Sequence, residues 1–260
     1  MHLITLTSDF GTADWFVGTM KGVILSIAPR AKMVDISHEI PGGDIRAGAF
    51  VLAASYRFFP RQTVHVAVVD PGVGSRRASI AVQTADCFFI GPDNGVLSLA
   101  LSKEKIKSIH RLTNEKLFLQ PVSQTFHGRD VFAPVAAHLC KGVDIGKLGP
   151  KQKDFVRLNW PSPRQRRGTI HGEVVYIDRF GNAITNIGSV VLTQLKQSSL
   201  AIFVKLKRLC PVKDFYQAVP TGKALGVVGS SGFLEIAVNG GSPAQKFGLK
   251  IGDAVEVRVK

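Results

Sequence analysis

Three polar side chains lie at turns of the sequence where acid–base chemistry could take place. Asp70 follows a strand-like apolar segment and precedes a glycine-rich turn, and Arg77 comes seven residues later. Such a turn can fold the guanidinium of Arg77 back beside the Asp70 carboxylate, either in a site or as a structural ion pair. His127 precedes a helical segment. Histidine titrates near neutral pH, so it suits proton transfer, although a lone histidine there can also be a polar cap.

A fourth candidate, Asp9, follows the first predicted strand. In open α/β sheets, ligands collect at the carboxyl ends of strands, and a carboxylate there can accept hydrogen bonds from a ribose diol. The same position suits an Asp that caps a helix, and the spacing alone does not separate the two interpretations. The Asp-Phe-Gly triplet at residues 9–11 also occurs in protein kinases. No glycine-rich ATP loop or kinase catalytic loop accompanies it, so we exclude a kinase.

The second half of the chain carries two polar strand–turn segments, residues 178–182 and 230–241. Their polar side chains include Asn182, Ser230 and Glu235, each of which can also be an ordinary turn or strand-edge group. The backbone around residues 238–240 could read the edge of an adenine, because glycine permits a close approach. Both interpretations stay open from the residues alone.

The elements that must position these residues change character along the chain. Up to residue 163, strand-like segments alternate with helical ones, which predicts an α/β domain with a mainly parallel central sheet. We expect strands at residues 3–7, 33–36, 63–69, 79–83 and 87–90, and helices at 17–27, 44–60 and 129–139. From residue 168 the apolar runs are short and separated by turn residues, which favours a small β-barrel or sandwich. We therefore predict two domains, 1–163 and 168–260.

Composition excludes several classes of protein. Apolar residues make up 45% of the chain and charged residues 20%, a balance typical of globular proteins. No run of about 18 apolar residues could span a membrane, and the first residues do not read as a signal peptide. Three widely separated cysteines suit the reducing cytoplasm. The net charge of +14 could attract nucleic acid, but the basic residues are dispersed, so we expect no nucleic-acid partner.

Taken in order, these motifs resemble one family, the S-adenosyl-L-methionine (SAM) hydroxide adenosyltransferases, which are relatives of the fluorinase and chlorinase enzymes. The resemblance extends over essentially the whole chain and rests on residues 8–11, 69–74, 126–130, 178–182 and 231–237. It implies that SAM reacts with water to give adenosine and L-methionine, with no metal or cofactor. It also implies an α/β domain, a small C-terminal β-barrel, and a homotrimer with active sites between subunits.

The resemblance also implies roles for individual residues. The catalytic set would be Asp70, Arg77 and His127. In the substrate-binding set, Asp9 would hold the ribose, and Asp14 and Asp178 would face the methionine ammonium. Ser230 and Ser231 would contact the methionine carboxylate, and Phe126 and Phe180 would pack on the ligand. Asn182 and the backbone of Val238, Asn239 and Gly240 would read adenine, and Glu235 would also belong to the set.

The implied reaction requires an activated water. A sulfonium is already a good leaving group, whereas bulk water, with a pKa of about 15.7, is a poor nucleophile. We expect the catalytic set to hold one water in line behind C5′, with His127 as the candidate proton acceptor, although the final acceptor stays open. A SAM-dependent halogenase is the first alternative, but a halide needs no proton acceptor. A protein that binds SAM or nucleic acid without catalysis is the second.

Overall fold

The computed structural model describes residues 3–193, 195 and 200–259, and the chain divides into two compact units after Leu158. The sequence places this division slightly later, between residues 163 and 168. In the structure, Arg164–Arg166 pair with the next strand of the second unit. The Asn186 side chain also donates to the Pro161 carbonyl at 3.1 Å. These contacts attach the proline-containing segment to the second unit.

The first unit is built on a six-stranded sheet with helices packed against it. Its strands are β1 (Leu3–Ser8), β2 (Lys32–Ser37), β3 (Val64–Val68), β4 (Ser79–Thr84), β5 (Phe88–Pro92) and β6 (Ile106–Arg111). Its helices are α1 (Phe16–Ile27), α2 (Ile45–Ser55), α3 (Ser98–Leu101) and α4 (Ala133–Cys140), and a π-helical turn over Gly128–Phe132 leads into α4.

The strand order β2-β1-β3-β5-β4-β6 confirms a mainly parallel sheet. Strands β2, β1, β3 and β5 are parallel, and β4 runs antiparallel to both of its neighbours. Ser8 at the end of β1 pairs with Val68 at the end of β3. The residues that follow these two strands, Asp9 and Asp70, therefore emerge at the same edge of the sheet.

Alternate residues of β1 and β3 point to the same face of the sheet and build the core of this unit. Every residue of β3 is buried, as expected for a central strand covered on both faces. Ile4, Leu6 and Val66 join a cluster with α1 and α4, which includes Ile24 and Phe132. Fully burying a side chain of this size contributes about 1.5–3 kcal/mol, so this cluster holds the sheet edge in place.

Helix α2 begins where the sequence predicts it and ends earlier. Asp44 caps the helix, because its Oδ1 accepts a hydrogen bond from Ala47 N at 2.9 Å. Such a cap is worth about 1 kcal/mol. The helix ends at Ser55, and a single 3₁₀ turn over Tyr56–Phe58 replaces the predicted continuation toward Pro60.

The second unit consists mainly of short strands joined by turns. The strands are β7 (Arg164–Arg166), β8 (Thr169–Ile177), β9 (Ala183–Gly188), β10 (Leu200–Val204), β11 (Lys207–Pro211), β12 (Ala224–Val228), β13 (Phe233–Val238) and β14 (Ala254–Val259). Two short helices, α5 (Ser189–Thr193) and α6 (Pro243–Phe247), accompany them.

These strands form a nearly closed antiparallel barrel, which confirms the predicted small β-barrel. The order is β11-β10-β14-β8-β9-β13-β12, with β7 attached to β8. A bridge between Val212 and Gly226, with a 2.8 Å hydrogen bond from Lys213 N to Gly226 O, connects the two outer strands. Ile170, Leu234 and Val257 are among the fully buried residues of its core. In the described parts of both units, no helix has the length and apolar character needed to cross a membrane.

One buried histidine in the first unit predicts a pH-dependent stability. His65 is 1% exposed, and its Nδ1 lies 2.7 Å from Thr5 Oγ1. Burial lowers the pKa of His65 to about 4 from its ordinary 6.5. Below pH 6.5 the unfolded chain binds a proton that the folded chain binds only near pH 4. The free energy of unfolding should therefore fall by about 2–3 kcal/mol as the pH drops through that window.

Urea unfolding at pH 7 and pH 4.5 tests this prediction. Because Asn keeps a polar partner for Thr5 but does not titrate, His65→Asn should lose about 2–3 kcal/mol less than the unmodified protein over the same pH change. Equal losses in both proteins would show that His65 does not cause the acid sensitivity.

Candidate active site

The glycine-rich turn after β3 places Asp70 against the segment that carries His127. Val73 N donates to the Asp70 carbonyl at 3.1 Å and reverses the chain. Gly74 has φ +75°, and a Cβ at this position would lie 2.3 Å from the Gln124 carbonyl oxygen. Only glycine fits such an approach, so the turn and the segment before His127 pack backbone to backbone.

Arg77 folds back onto Asp70, as the sequence predicts. Its Nε donates to Asp70 Oδ1 at 3.0 Å and its Nη2 donates to Oδ2, which makes a bidentate pair. The side chains are only 11% and 4% exposed. Arg77 Nη1 also donates to Ser79 Oγ at 2.6 Å, and the guanidinium lies 5.5 Å from the centre of the Phe132 ring. Sequence reasoning missed Ser79, which looked like an ordinary strand residue.

His127 completes this cluster through the same guanidinium. Arg77 Nη2 lies 2.7 Å from His127 Nδ1. A guanidinium has only donors, so Nδ1 must supply a lone pair and the ring proton must lie on Nε2. Burial and the positive charge of Arg77 lower the pKa of His127, although Asp70 and Asp130 act in the opposite direction. The imidazole is therefore neutral, with Nε2–H as its remaining donor.

Asp9 lies in a turn that meets the turns after the neighbouring strands. Its Oδ2 accepts a hydrogen bond from Gly43 N at 2.8 Å. A Cβ on Gly43 would lie 3.6 Å from Pro71 Cβ, next to Asp70. Asp9 does not cap a helix, since α1 begins at Phe16 with Trp15 at its N-cap. The structure therefore removes the capping interpretation and leaves the carboxylate at the shared sheet edge.

Two further candidates of the first unit have different environments. Asp14 is exposed in the loop before α1. Phe126 is buried among other rings, with its centre 5.7 Å from that of Phe10 and 5.2 Å from that of Phe16. Its first role is thus to pack the loop before α4 onto the start of α1. Contact of Phe126 with a ligand stays a prediction.

In the second unit, Asp178 organises a tight turn that presents Asn182. Asp178 Oδ1 accepts from Phe180 N at 2.9 Å and from Asn182 N at 2.8 Å, and Oδ2 accepts from Asn182 Nδ2 at 3.0 Å. Gly181 has φ +82°, and a Cβ there would lie 2.0 Å from Ser242 Oγ, so the turn requires glycine. Phe180 is largely exposed at its tip.

This turn borders a cavity of about 450 Å³ within the barrel unit. The cavity is lined by Phe180, Asn182, Tyr216, Val238, Gly240 and Gly241. Four of these residues are predicted ligand contacts, whereas sequence reasoning missed Tyr216 and Gly241. Tyr216 lies in a short 3₁₀ turn outside every motif, so its only signal was an aromatic residue in a polar stretch.

The remaining candidates of this unit are mostly engaged by the fold. Asn239 Nδ2 donates a hydrogen bond to Val219 O at 2.8 Å. The backbone N of Asn239 donates to Lys223 O, and its backbone O accepts from Gly222 N. Asn239 therefore builds the turn, while Gly240 lines the cavity.

Glu235 and the two serines differ in their surroundings. Glu235 is buried and accepts a hydrogen bond from the Tyr216 hydroxyl. Burial raises the pKa of Glu235, Tyr216 lowers it, and Asp178 raises it further. Ser230 is exposed. Ser231 Oγ is buried and has no hydrogen-bond partner among the described residues.

Comparison with known proteins identifies the family of this chain. The family model of the SAM hydroxide adenosyltransferase N-terminal domain matches residues 4–149, and that of the C-terminal domain matches residues 172–256. The chain belongs to the SAM hydroxide adenosyltransferase family. The resemblance seen in the sequence motifs is thereby confirmed.

Relatives within and near this family are similar over nearly their full lengths. A Salinispora tropica protein named (R)-S-adenosyl-L-methionine hydrolase is 38% identical, and the match covers 98% of this chain and 97% of that protein. A fluorinase from an Actinoplanes species is 27% identical, with 98% and 97% covered. A crystal structure of an uncharacterized conserved protein from Thermotoga maritima superposes with a TM-score of 0.94 at 36% identity, covering 98% of this chain and 99% of that one.

Proposed function

We propose that this adenosyltransferase-family protein hydrolyses SAM to adenosine and L-methionine. The observation that carries the proposal is the cluster in which Arg77 contacts both the Asp70 carboxylate and the His127 imidazole. The similarity to proteins named SAM hydrolases supports the same reaction. SAM is accordingly the proposed substrate.

In the proposed reaction, water attacks C5′ directly. A lone pair of the water oxygen forms the bond to C5′ while the C5′–S bond breaks, and its electron pair remains on sulfur as the neutral thioether of methionine. One proton of the attacking water passes to the Asp70 carboxylate and then to solvent. Because the sulfonium needs no acid to leave, the step requires no metal or cofactor.

The contacts of the cluster suggest how each residue acts. Asp70 is held by Arg77 but keeps lone pairs that can accept from water. His127 Nδ1 is occupied by Arg77, so we propose that Nε2–H donates to the water oxygen and that His127 is not the proton acceptor. The water then donates to Asp70, accepts from His127 and keeps one lone pair for C5′. Such positioning can lower a barrier by roughly 7–11 kcal/mol in favourable cases.

The predicted substrate contacts are retained as part of this proposal. By the resemblance, Asp9 would bind the ribose hydroxyls and Asn182 would read the adenine, in active sites formed between neighbouring subunits. The methionine end would contact Asp14, Asp178, Ser230 and Ser231. A homotrimer rests on the resemblance alone. A cytoplasmic location is supported by the three widely separated cysteines, all of which are buried.

A halogenase is the second candidate function, because fluorinases are more distant relatives. A halide ion has no proton to release, so its attack on C5′ would leave the Asp70 carboxylate without the role of proton acceptor. The hydrolase-named relatives are also more similar to this chain than the fluorinases are. Both observations favour water as the nucleophile.

One incubation distinguishes these functions. Purified protein with SAM should release adenosine and methionine in equal amounts by liquid chromatography, and added chloride or fluoride should yield no 5′-halo-adenosine. A halogenated nucleoside would identify a halogenase. If SAM binds the protein but is recovered intact, the protein is a sensor without turnover.

A further inference from the structure

We propose that His38 is a positioning residue, which fixes the turn bearing Asp9 so that its carboxylate meets the ribose hydroxyls. The inference rests on the proposed function in that it takes the ribose as the ligand of Asp9. It concerns what holds the Asp9 carboxylate in position, and it assigns a role to a buried side chain that the sequence motifs did not single out.

His38 holds both ends of the turn that contains Asp9. It directly follows β2 and is 4% exposed. Its Nδ1 lies 2.7 Å from Ser8 Oγ, before Asp9, and its carbonyl accepts a hydrogen bond from Gly11 N at 2.7 Å, after Asp9. One residue therefore restrains the turn through its side chain and its backbone.

An irregularity in the sheet places His38 at this point. Strands β1 and β2 pair in register up to Leu6 and Asp35, but Thr7 then pairs with Ser37. One extra residue, Ile36, is thus inserted in β2. Such irregularities re-aim the side chains that follow and are common next to active sites.

A second set of contacts orients the His38 ring from its far side. Asp35 Oδ1 lies 3.1 Å from His38 Nε2, and Lys21 Nζ donates to Asp35 Oδ2 at 2.5 Å. His38 Nε2 makes no hydrogen bond among the described residues, so the contact with Asp35 is electrostatic. The negative charge beside Nε2 favours the Nε2–H form of the ring and leaves Nδ1 to accept from the Ser8 hydroxyl. Phe10 N in turn donates to Ser8 Oγ at 3.3 Å.

The segment that starts at His38 also restrains the Asp9 carboxylate itself. Five residues after His38, Gly43 N donates to Asp9 Oδ2 at 2.8 Å. The turn and its functional group are therefore both tied to the same loop. A carboxylate fixed before binding loses less conformational freedom when the ribose arrives, which strengthens binding.

The array of Ser8, His38 and Asp35 has the residue types of a nucleophilic triad, but its geometry favours positioning. Ser8 is 2% exposed, and its Oγ already accepts from the backbone of its own turn. A nucleophilic serine must reach a substrate carbon. A serine in these contacts instead transmits the orientation of the histidine to the turn.

Binding of two nucleosides tests the proposal without requiring catalysis. Calorimetry should show that the unmodified protein binds adenosine about 10–100-fold more tightly than 2′-deoxyadenosine, which lacks one hydroxyl for Asp9. His38→Ala should weaken adenosine binding about tenfold and leave 2′-deoxyadenosine binding nearly unchanged, so the preference collapses.

Two further substitutions separate positioning from general damage. Asn places an acceptor near the position of Nδ1, so His38→Asn should restore most of the preference, whereas His38→Gln lacks that acceptor and should resemble His38→Ala. His65→Asn is the matched control, since His65 is equally buried and contacts Thr5 Oγ1 at 2.7 Å nearer the opposite end of the sheet. It should leave the preference unchanged.

Several outcomes would overturn the inference. These are equal weakening of both nucleosides by His38→Ala, equal behaviour of the Asn and Gln variants, or no preference for adenosine in the unmodified protein. If His38→Ala does not fold, the comparison of Asn with Gln still decides. An absence of SAM hydrolysis together with a preference that depends on His38 would contradict the proposed function and support the positioning role.

Discussion

Replacing Asp70 by Asn should lower kcat for SAM hydrolysis about 10²–10⁴-fold and change KM by less than about threefold. Asn has the shape of Asp but cannot take up the proton that the attacking water releases. Substrate contacts lie elsewhere in the proposal, so binding should survive. Steady-state release of adenosine over a range of SAM concentrations separates the two parameters. A comparable effect on kcat and KM would mean that Asp70 mainly shapes the pocket.

A matched control is needed because Asp70→Asn leaves the buried Arg77 guanidinium without its counter-charge. Breaking a buried pair can cost about 3–5 kcal/mol of stability. Asp130 offers the comparison, since it is also buried and accepts from Arg129 through both oxygens, at 2.6 and 3.0 Å. Asp130→Asn should also destabilise the fold, although less than Asp70→Asn because the Arg129 side chain is 33% exposed, and it should lower kcat less than about tenfold. Equal losses of kcat in both variants would attribute the effect to stability.

Replacing His127 by Asn should lower kcat about 100-fold. Asn can still accept from Arg77 Nη2 in the place of Nδ1, so the ion pair with Asp70 should persist. What disappears is the Nε2–H donor that we propose for the water. If His127 only supported Arg77 through Nδ1, His127→Asn would retain nearly full activity, and that result would contradict the proposed donor.

The same residue sets the acid limit of the reaction. Burial and Arg77 hold the pKa of His127 below its ordinary 6.5, so the neutral ring persists as the pH falls past that value. Protonation at lower pH puts an N–H on Nδ1 against the guanidinium and disrupts the cluster. The kcat/KM of the unmodified protein should therefore fall only below pH 6.5, and His127→Asn should lose that acid limb.

The sequence predicts local parts of the site better than contacts between distant segments. A glycine-rich turn between Asp70 and Arg77 leaves few ways to arrange them, and their pairing follows from spacing. The contact of Arg77 with His127 spans 50 positions and depends on Gly74 packing on the backbone of Gln124. Spacing says nothing about which nitrogen of the imidazole the guanidinium meets.

Missed elements have equally specific causes. The short apolar runs of the second unit do not mark strand β9, because Thr185 and Asn186 interrupt the apolar pattern of this almost entirely buried strand. Thr185 Oγ1 donates to Leu234 O at 2.7 Å, a tertiary contact that satisfies it in the core. His38 was missed because its proposed role depends on a register shift between two strands, which no residue pattern reveals. Asn239 stays a predicted adenine contact, and the sequence did not reveal that its side chain also donates to Val219 O.

The claim that water attacks C5′ directly is tested by a single turnover in H₂¹⁸O, with protein in excess over SAM. Mass spectrometry of the adenosine should find ¹⁸O in its 5′-hydroxyl group, and the methionine should carry none. Unlabelled adenosine from this first turnover would mean that the oxygen came from the protein, as it would if the Asp70 carboxylate attacked C5′ and its ester were then hydrolysed. That result would contradict the proposed role of Asp70 as the acceptor of the water proton.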